Sequence, residues 1–511
     1  MKNHYSKRFL NNFNKLQKGS LMLKSMFSIL GVLAIAVIIT GCSATGSYTS
    51  NQKFSESIIG PIERMENAYQ GIYRNPIIIV HGFLGSNLID KKTGQNLWGT
   101  FRGIDGFTVS DEKMRGLAIP MALGKPLNEL NDDTVPAGIL DTVTVKIMGL
   151  SFEENVYLNL VNILQSGGFQ AEGFPLAPGM TYNTLFQFAY DWRRDLQWNA
   201  AKLHAFIQEK RKYMQEQYRV MYGIKDYDVQ FDLIGHSMGG LVSRYYLYYG
   251  DSDLPPDGQK PEITWVGSKY IDRLIILGTP NAGYLDTILE MKKGTDLPPF
   301  PPALLGTWPT YYQMMPAPSM RSVVYAEDPG KTVDVFDINV WVKMKWGLAD
   351  PAQAATLKIL LPDAKDDNER RRIALDHLEK CLKRAKSFIE AMQISTALPP
   401  KDVRLYLVLG NAVKTSFRAT ADSQTGDLKV IEYAPGDGKV TASSALFDER
   451  AGKQWAPYFT SPISWRGIIH LRAAHMGITT DPLFKDNILF LLNAIPNQRQ
   501  VEQINASKTT D

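Results

Sequence analysis

The stretch VQFDLIGHSMGGLVSRYYLYY, residues 229–249, decides the fold. Its opening, Val229 to Ile234, is a short apolar run that reads as a buried strand, and its close, Leu241 to Tyr249, reads as an apolar helix. Between them Gly235-His236-Ser237-Met238-Gly239 fits G-x-S-x-G. A strand that turns directly into a helix strains the backbone at the junction. The small glycines make room for that turn, which lifts the serine hydroxyl clear of the sheet. The five-residue pattern alone arises by chance in many proteins; the strand before it and the helix after it give it meaning here.

Outward from that turn, short runs rich in aliphatic or aromatic residues recur at Ile77–Val80, Leu185–Ala189, Leu274–Leu277 and Val403–Leu409. They read as further buried strands. Helical segments lie between them, at Val156–Leu164 and from Leu196 to about Arg219. Strand and helix in alternation imply a mostly parallel central sheet with helices on both faces. With a serine turn at a strand end, this predicts the α/β-hydrolase fold. The core is expected in two parts, residues 70–283 and 403–495, because residues 284–402 are too long for a plain loop and read as an inserted cap or lid. That insertion holds a proline cluster, Pro298, Pro299, Pro301 and Pro302. It also holds a helical stripe of Ala374, Leu378, Leu382, Ala385, Phe388, Ile389 and Met392, on which Cys381 falls as core packing.

A serine hydroxyl needs a base, which in this fold comes after the acid in chain order. Gly436-Asp437-Gly438-Lys439-Val440 is a glycine-flanked turn suited to presenting a carboxylate, although Asp-Gly turns are also common without any role. Of the seven histidines only His470 and His475 follow it. His470 closes the apolar run Gly467-Ile468-Ile469, where a packed or structural role is expected. His475 is favoured as the base, since it lies in a loop before a helix marked by Asp481 as N-cap and Pro482 at the first position. That helix carries Phe484, Ile488, Leu491 and Leu492 on one face. The oxyanion of a tetrahedral intermediate needs two donors, expected from the amides of Met238 and of Phe83 in the loop His81-Gly82-Phe83-Leu84-Gly85-Ser86. His81 is expected to shape that loop. No zinc-type ligand spacing or phosphate-binding glycine loop occurs, so neither metal nor cofactor is expected.

At 511 residues and 44% hydrophobic composition the chain can bury a large core plus an inserted subdomain. Six Lys and Arg residues and no acid lie in residues 1–41, leaving 50 basic against 52 acidic residues beyond them. The basic balance therefore belongs to the leader, and no nucleic-acid partner is implied. In that leader MFSILGVLAIAVII, residues 26–39, follows a basic stretch and precedes Thr40, Gly41 and Cys42. The run is short for a membrane span of ~20 residues and suits a signal peptide; an uncut anchor helix is the alternative. ITGC resembles the lipobox of bacterial lipoproteins, which would make Cys42 the lipidated first residue of an exported protein held at the cell envelope. Residues 42–69 then read as a tether and 496–511 as a polar tail. With only Cys42 and Cys381 present, lipidation of the first leaves no intramolecular disulfide.

Several separated motifs then resemble the lecithin:cholesterol acyltransferase and lysosomal phospholipase family over roughly residues 75–493. They are IIIVHGFLGSNL, LWG at Leu97–Gly99, AYDWRRD at Ala189–Asp195, GHSMGGLVSRYYL, LGTPNAG, WPTYYQMMP, GDGKV and AAHMG, in family order. The resemblance implies a cap over the site and acyl-ester substrates, with transfer to water or an alcohol. Two features depart from it: the disulfides of animal members cannot form here, and His81 stands where proline is often found, as in bacterial lipases. Trp192 and Arg193 are expected to brace the sheet edge rather than touch substrate. The apolar, proline-rich PPFPPALLGTW, residues 298–308, suits a lipid or long-chain acyl substrate, and equally a lid that merely packs. A lipoprotein that keeps the fold only to bind a partner is the competing class, which an intact serine, acid and histidine set disfavours.

Overall fold

The computed structural model describes residues 70–497, without 100–108, 141–142, 148–149, 155–156, 257–258, 260, 297, 395–398, 401–402 and 453–455, together with Glu502. The leader, Cys42 and the tether lie outside the described residues. Six strands form the central sheet: β1 (Ile77–Val80), β2 (Leu185–Phe188), β3 (Phe231–His236), β4 (Ile271–Leu277), β5 (Arg404–Gly410) and β6 (Trp465–Leu471). Their order is β6-β5-β4-β3-β1-β2, and every neighbouring pair is parallel. Every residue of β1, β3 and β4 is buried, so these strands show no alternation of buried and exposed positions. The period of two still shows in three dimensions. Ile78, Val80, Leu233 and Ile276 join the core on one face, whereas Ile77, Ile79, Ile234 and Ile275 join the core on the other. This is the α/β-hydrolase fold.

Helices cover both faces. They include α1 (Leu158–Ser166), α2 (Leu196–Tyr222), α3 (Met238–Tyr249), α4 (Asp286–Lys293), α5 (Asp367–Met392) and α6 (Pro482–Leu489). The local signals that start and stop them are satisfied. Asp195 caps α2 by accepting from the Trp198 amide, and Gly223, at φ 71°, ends it. Asp481 caps α6 with Pro482 at its first position. Phe484, Ile488, Leu491 and Leu492 are buried against the sheet. Cys381 is fully buried on the apolar stripe of α5.

Two features differ from the sequence reading. Residues 284–402 do not stand apart, because their strand Val323–Tyr325 pairs with Val413–Ala421, which pairs in turn with Leu428–Gly436. The excursion thus reaches past 403 into the second core segment. A second excursion leaves the sheet after β1: Ser86–Asp90, Asn96–Trp98 and Thr134–Ile139 form an antiparallel sheet, followed by a hairpin of Val143–Ile147 and Leu150–Glu154. The three strands of that sheet are short or partly exposed, so they carry no long apolar run.

The Tyr190-Asp191-Trp192-Arg193 segment pins that second excursion to the sheet. Arg193, fully buried, makes a paired contact with Asp191 at 2.9 and 2.7 Å and reaches Asp132 at 2.9 Å and the Gly116 carbonyl at 3.0 Å. Trp192 donates to the Ser86 carbonyl at 3.2 Å. Removing one partner from such a buried pair leaves the other charge uncompensated. Arg193→Met is therefore expected to destabilise the protein by about 3–5 kcal/mol, read as a lower urea midpoint. A midpoint that stays put would contradict the bracing role.

Candidate active site

Ser237 joins β3 to α3 with φ 53° and ψ −124°, a conformation side chains rarely adopt. Its amide donates to the Leu277 carbonyl of β4 at 2.7 Å, and its carbonyl accepts from the Gly240 amide at 3.0 Å. The turn tolerates no bulk around it: a Cβ on Gly239 would collide with the carbonyl oxygens of Val80 and His81. The hydroxyl is held where the carboxyl ends of β1 and β3 meet. The chain reverses its direction of strand addition there, and open parallel sheets bind ligands at such a point.

Two other loops converge on this hydroxyl. His475 lies between β6 and α6, with Nε2 2.9 Å from Ser237 Oγ and Nδ1 2.7 Å from Asp437 Oδ2. Its backbone amide donates to the Asp437 carbonyl at 2.8 Å, so the main chain and the side chain of the acid hold the same histidine. Asp437 follows directly on the strand Leu428–Gly436 and is 2% exposed. Its second oxygen accepts from the amides of Val440 and Lys439 at 2.7 and 2.9 Å. Gly278, at φ 55°, lies against both partners; a Cβ there would stand 3.1 Å from Asp437 Oδ2 and 3.3 Å from His475 Nδ1. The LGTPNAG string carries this clearance, which sequence reasoning did not extract from it.

The loop after β1 lies beside the serine, where a Cβ on Gly82 would be 2.9 Å from that of Ser237. Among the described residues, the amides of Phe83 and Met238 donate to no other group. The next residue, Leu84, takes φ 61°. The insertion packs on the side chains of both residues: Thr310 Oγ1 is 3.0 Å from Met238 Sδ, and the Phe83 ring packs on Trp308 and Tyr311 at 5.8 and 5.4 Å.

The structure places His470 differently from the sequence reading. The expected packed setting does not occur; the residue is exposed on β6, the edge strand, with Nδ1 3.2 Å from Asn411 Nδ2. An edge strand needs only one buried face, so an apolar run around it does not bury every member. His81, by contrast, is fully buried and stacked on Tyr190 at 4.0 Å. Among the described residues no cluster of His, Cys, Asp and Glu is arranged to hold a metal ion.

Burial sets the charge states. It pushes the Asp437 carboxyl up, but the His475 charge and hydrogen bond and the two amides outweigh it and hold Asp437 below the usual carboxylate range. Burial lowers His81 and His236 to about 3, and His377, within α5, to about 4.

Residues 176–346 match the family model for lecithin:cholesterol acyltransferase. No curated protein matches the chain. Among solved structures, a chain of the Tle4-Tli4 complex is 12% identical with a TM-score of 0.53, over 83% of this chain and 99% of that one. It shares the fold. EstA from Clostridium botulinum is 14% identical over 88% of this chain and 93% of its own, with a TM-score of 0.34. The mature lipase BlEst2 from Bacillus licheniformis is 12% identical over 83% of this chain and 94% of its own, at 0.30.

The three buried neutral histidines tie stability to pH. Each binds its proton in the unfolded chain near the ordinary 6.5 and in the folded protein only near 3 or 4. Their contribution is therefore complete above pH 6.5 and is lost as pH falls toward the folded values. Urea titrations at pH 7, 6 and 5 should show unfolding free energy falling by up to about 1.4 kcal/mol per histidine per unit below pH 6. A flat profile across that window would mean these rings are already charged in the fold.

Proposed function

From a chain whose residues 176–346 are a lecithin:cholesterol acyltransferase family domain on an α/β-hydrolase fold, we propose a serine ester hydrolase or acyltransferase acting on lipid acyl esters. The observation that carries the reading is the unbroken contact from Ser237 Oγ to His475 Nε2, and from Nδ1 to Asp437. In this reading Ser237 Oγ bonds to the ester carbonyl carbon as its proton passes to His475 Nε2. Asp437, kept ionised, orients the ring through the Nδ1 proton and stabilises the imidazolium. The carbonyl oxygen, now anionic, takes hydrogen bonds from the Phe83 and Met238 amides, whose lack of internal partners supports that role. His475 then returns its proton to the departing alkoxide, which leaves an acyl-Ser237 ester for water or an alcohol to cleave by the reverse steps.

The substrate class rests on the apolar cover. Trp308, Thr310 and Tyr311 pack on the two oxyanion residues, so residues 284–402 act as a lid over the acyl site. A long-chain ester suits that lining. Lipidation at Cys42 and export to the cell envelope complete the reading, since they would bring the site to a membrane that holds its substrate.

A fluorophosphonate probe should label the full-length protein, and Ser237→Ala should abolish the labelling. Hydrolysis of a p-nitrophenyl acyl ester should fall at least about a thousandfold in Ser237→Ala and in Asp437→Asn. Repeating the assay with a long-chain alcohol present separates transfer from hydrolysis by the ester formed. A folded wild type that neither labels nor turns over would refute the proposal.

A further inference from the structure

Four buried side chains beneath Ser237 take no part in the steps above: His81, Tyr157, Tyr190 and His236. The roles of their polar hydrogens follow from the contacts alone. His236 Nε2 lies 3.4 Å from the His475 carbonyl, an acceptor only, so this nitrogen carries the proton. In the neutral ring Nδ1 is then an acceptor, and it takes the Tyr157 hydroxyl at 3.1 Å. The Tyr157 oxygen in turn accepts from the Gly82 amide at 2.6 Å. A single directed chain results: Gly82 N–H to Tyr157, the Tyr157 hydroxyl to His236, and His236 Nε2–H to the His475 carbonyl.

Its two ends matter more than its middle. One is the residue before Phe83; the other is the main chain of the base. The carbonyl of Gly82 is fixed as well. The Tyr190 amide donates to His81 Nε2 at 3.2 Å, so His81 Nδ1 carries the proton and gives it to Gly82 O at 2.7 Å. A peptide unit is planar and trans, so holding the Gly82 carbonyl aims the Phe83 N–H the opposite way. With its amide on Asp437 and its carbonyl on His236, the His475 backbone is gripped on both sides.

We propose that Tyr157 is a positioning residue for the reaction, its hydroxyl joining the oxyanion loop at Gly82 to the base at His475 through His236. This rests on the reading of Ser237 as the nucleophile. Tyr157 stands at the N-cap of α1, late in the connection between β1 and β2 whose first residues form the loop that holds Phe83. Among the described residues its hydroxyl hydrogen-bonds to Gly82 and His236, and to neither Ser237 nor Asp437. Its effect lies in the distance between two groups that must act in concert on one carbonyl, where misplacement by about 1 Å can cost about a hundredfold in rate. The plain alternative is a satisfied packing network, and the two differ in what the hydroxyl does once the ring is kept.

Tyr157→Phe in the full-length protein makes that separation. The proposal expects kcat for a p-nitrophenyl ester to fall about tenfold or more, KM to stay within about twofold, and fluorophosphonate labelling to slow in step. His236→Asn, whose short amide can accept from Tyr157 but cannot reach the His475 carbonyl, should lose kcat similarly. The double variant should lose no more than the worse single one, because both cut the same chain. A purely structural hydroxyl would lower the thermal midpoint and leave kcat alone. That result, or losses that multiply in the double variant, overturns the proposal and leaves the Ser237 reading intact. If Tyr157→Phe does not fold, an unchanged kcat in His236→Asn overturns it. A wild type with no Ser237-dependent labelling fails at the earlier step and removes the reading itself.

Discussion

The serine turn is the constraint on which the rest of the structure depends. A non-glycine residue at φ 53° and ψ −124° costs on the order of 1–3 kcal/mol, and it persists only where its surroundings over-determine it. Here the Ser237 amide is bound to β4, α3 behind it is buried along its whole length, and Gly239 presses against the end of β1 without a side chain. The geometry of three separate loops is then measured from one fixed atom. The loop that holds Phe83 rides on β1, the clearance at Gly278 on β4, and His475 on β6, each neighbour registered by parallel pairing to the next.

Around that atom the protein separates charge with care. Asp437 is nearly inaccessible yet ionised, because two backbone amides and a histidine replace its water. The two other imidazoles nearby, His81 and His236, are kept neutral by burial and act as hydrogen-bond geometry rather than as charges. The Nδ1 side of His475 faces the ionised Asp437 at 2.7 Å.

Much of this was legible in the sequence, for reasons that vary by residue. β1, β3 and β4 are buried on both faces, so apolar stretches such as Ile77–Val80 and Leu274–Leu277 mark them, and the glycines around Ser237 announce the turn. Asp437 and His475 could be found by chain order and by the glycines and helix cap beside them. β6 is harder: the apolar Gly467-Ile468-Ile469 beside His470 suggests packing, but WRGIIHL mixes exposed and buried positions, as an edge strand does, and His470 is one of the exposed ones. The strands within residues 86–154 and 413–436 were missed, being short or one-sided. Tyr157 left no signal at all. Its hydroxyl finds partners 75 and 79 residues away, and no local pattern records that separation.

The strand that leads into Asp437 is spliced into the same small sheet as Val323–Tyr325, and two residues past the acid Lys439 bridges to Asp286 and Glu290 of α4 at 3.2 and 3.6 Å. The carboxylate and the covering insertion are thus one mechanical body. Swinging that insertion aside as a rigid piece would pull the acid off its histidine in the same stroke. The site is built like an interlock: whatever opens it must bend the cover locally, or the act of opening disarms it.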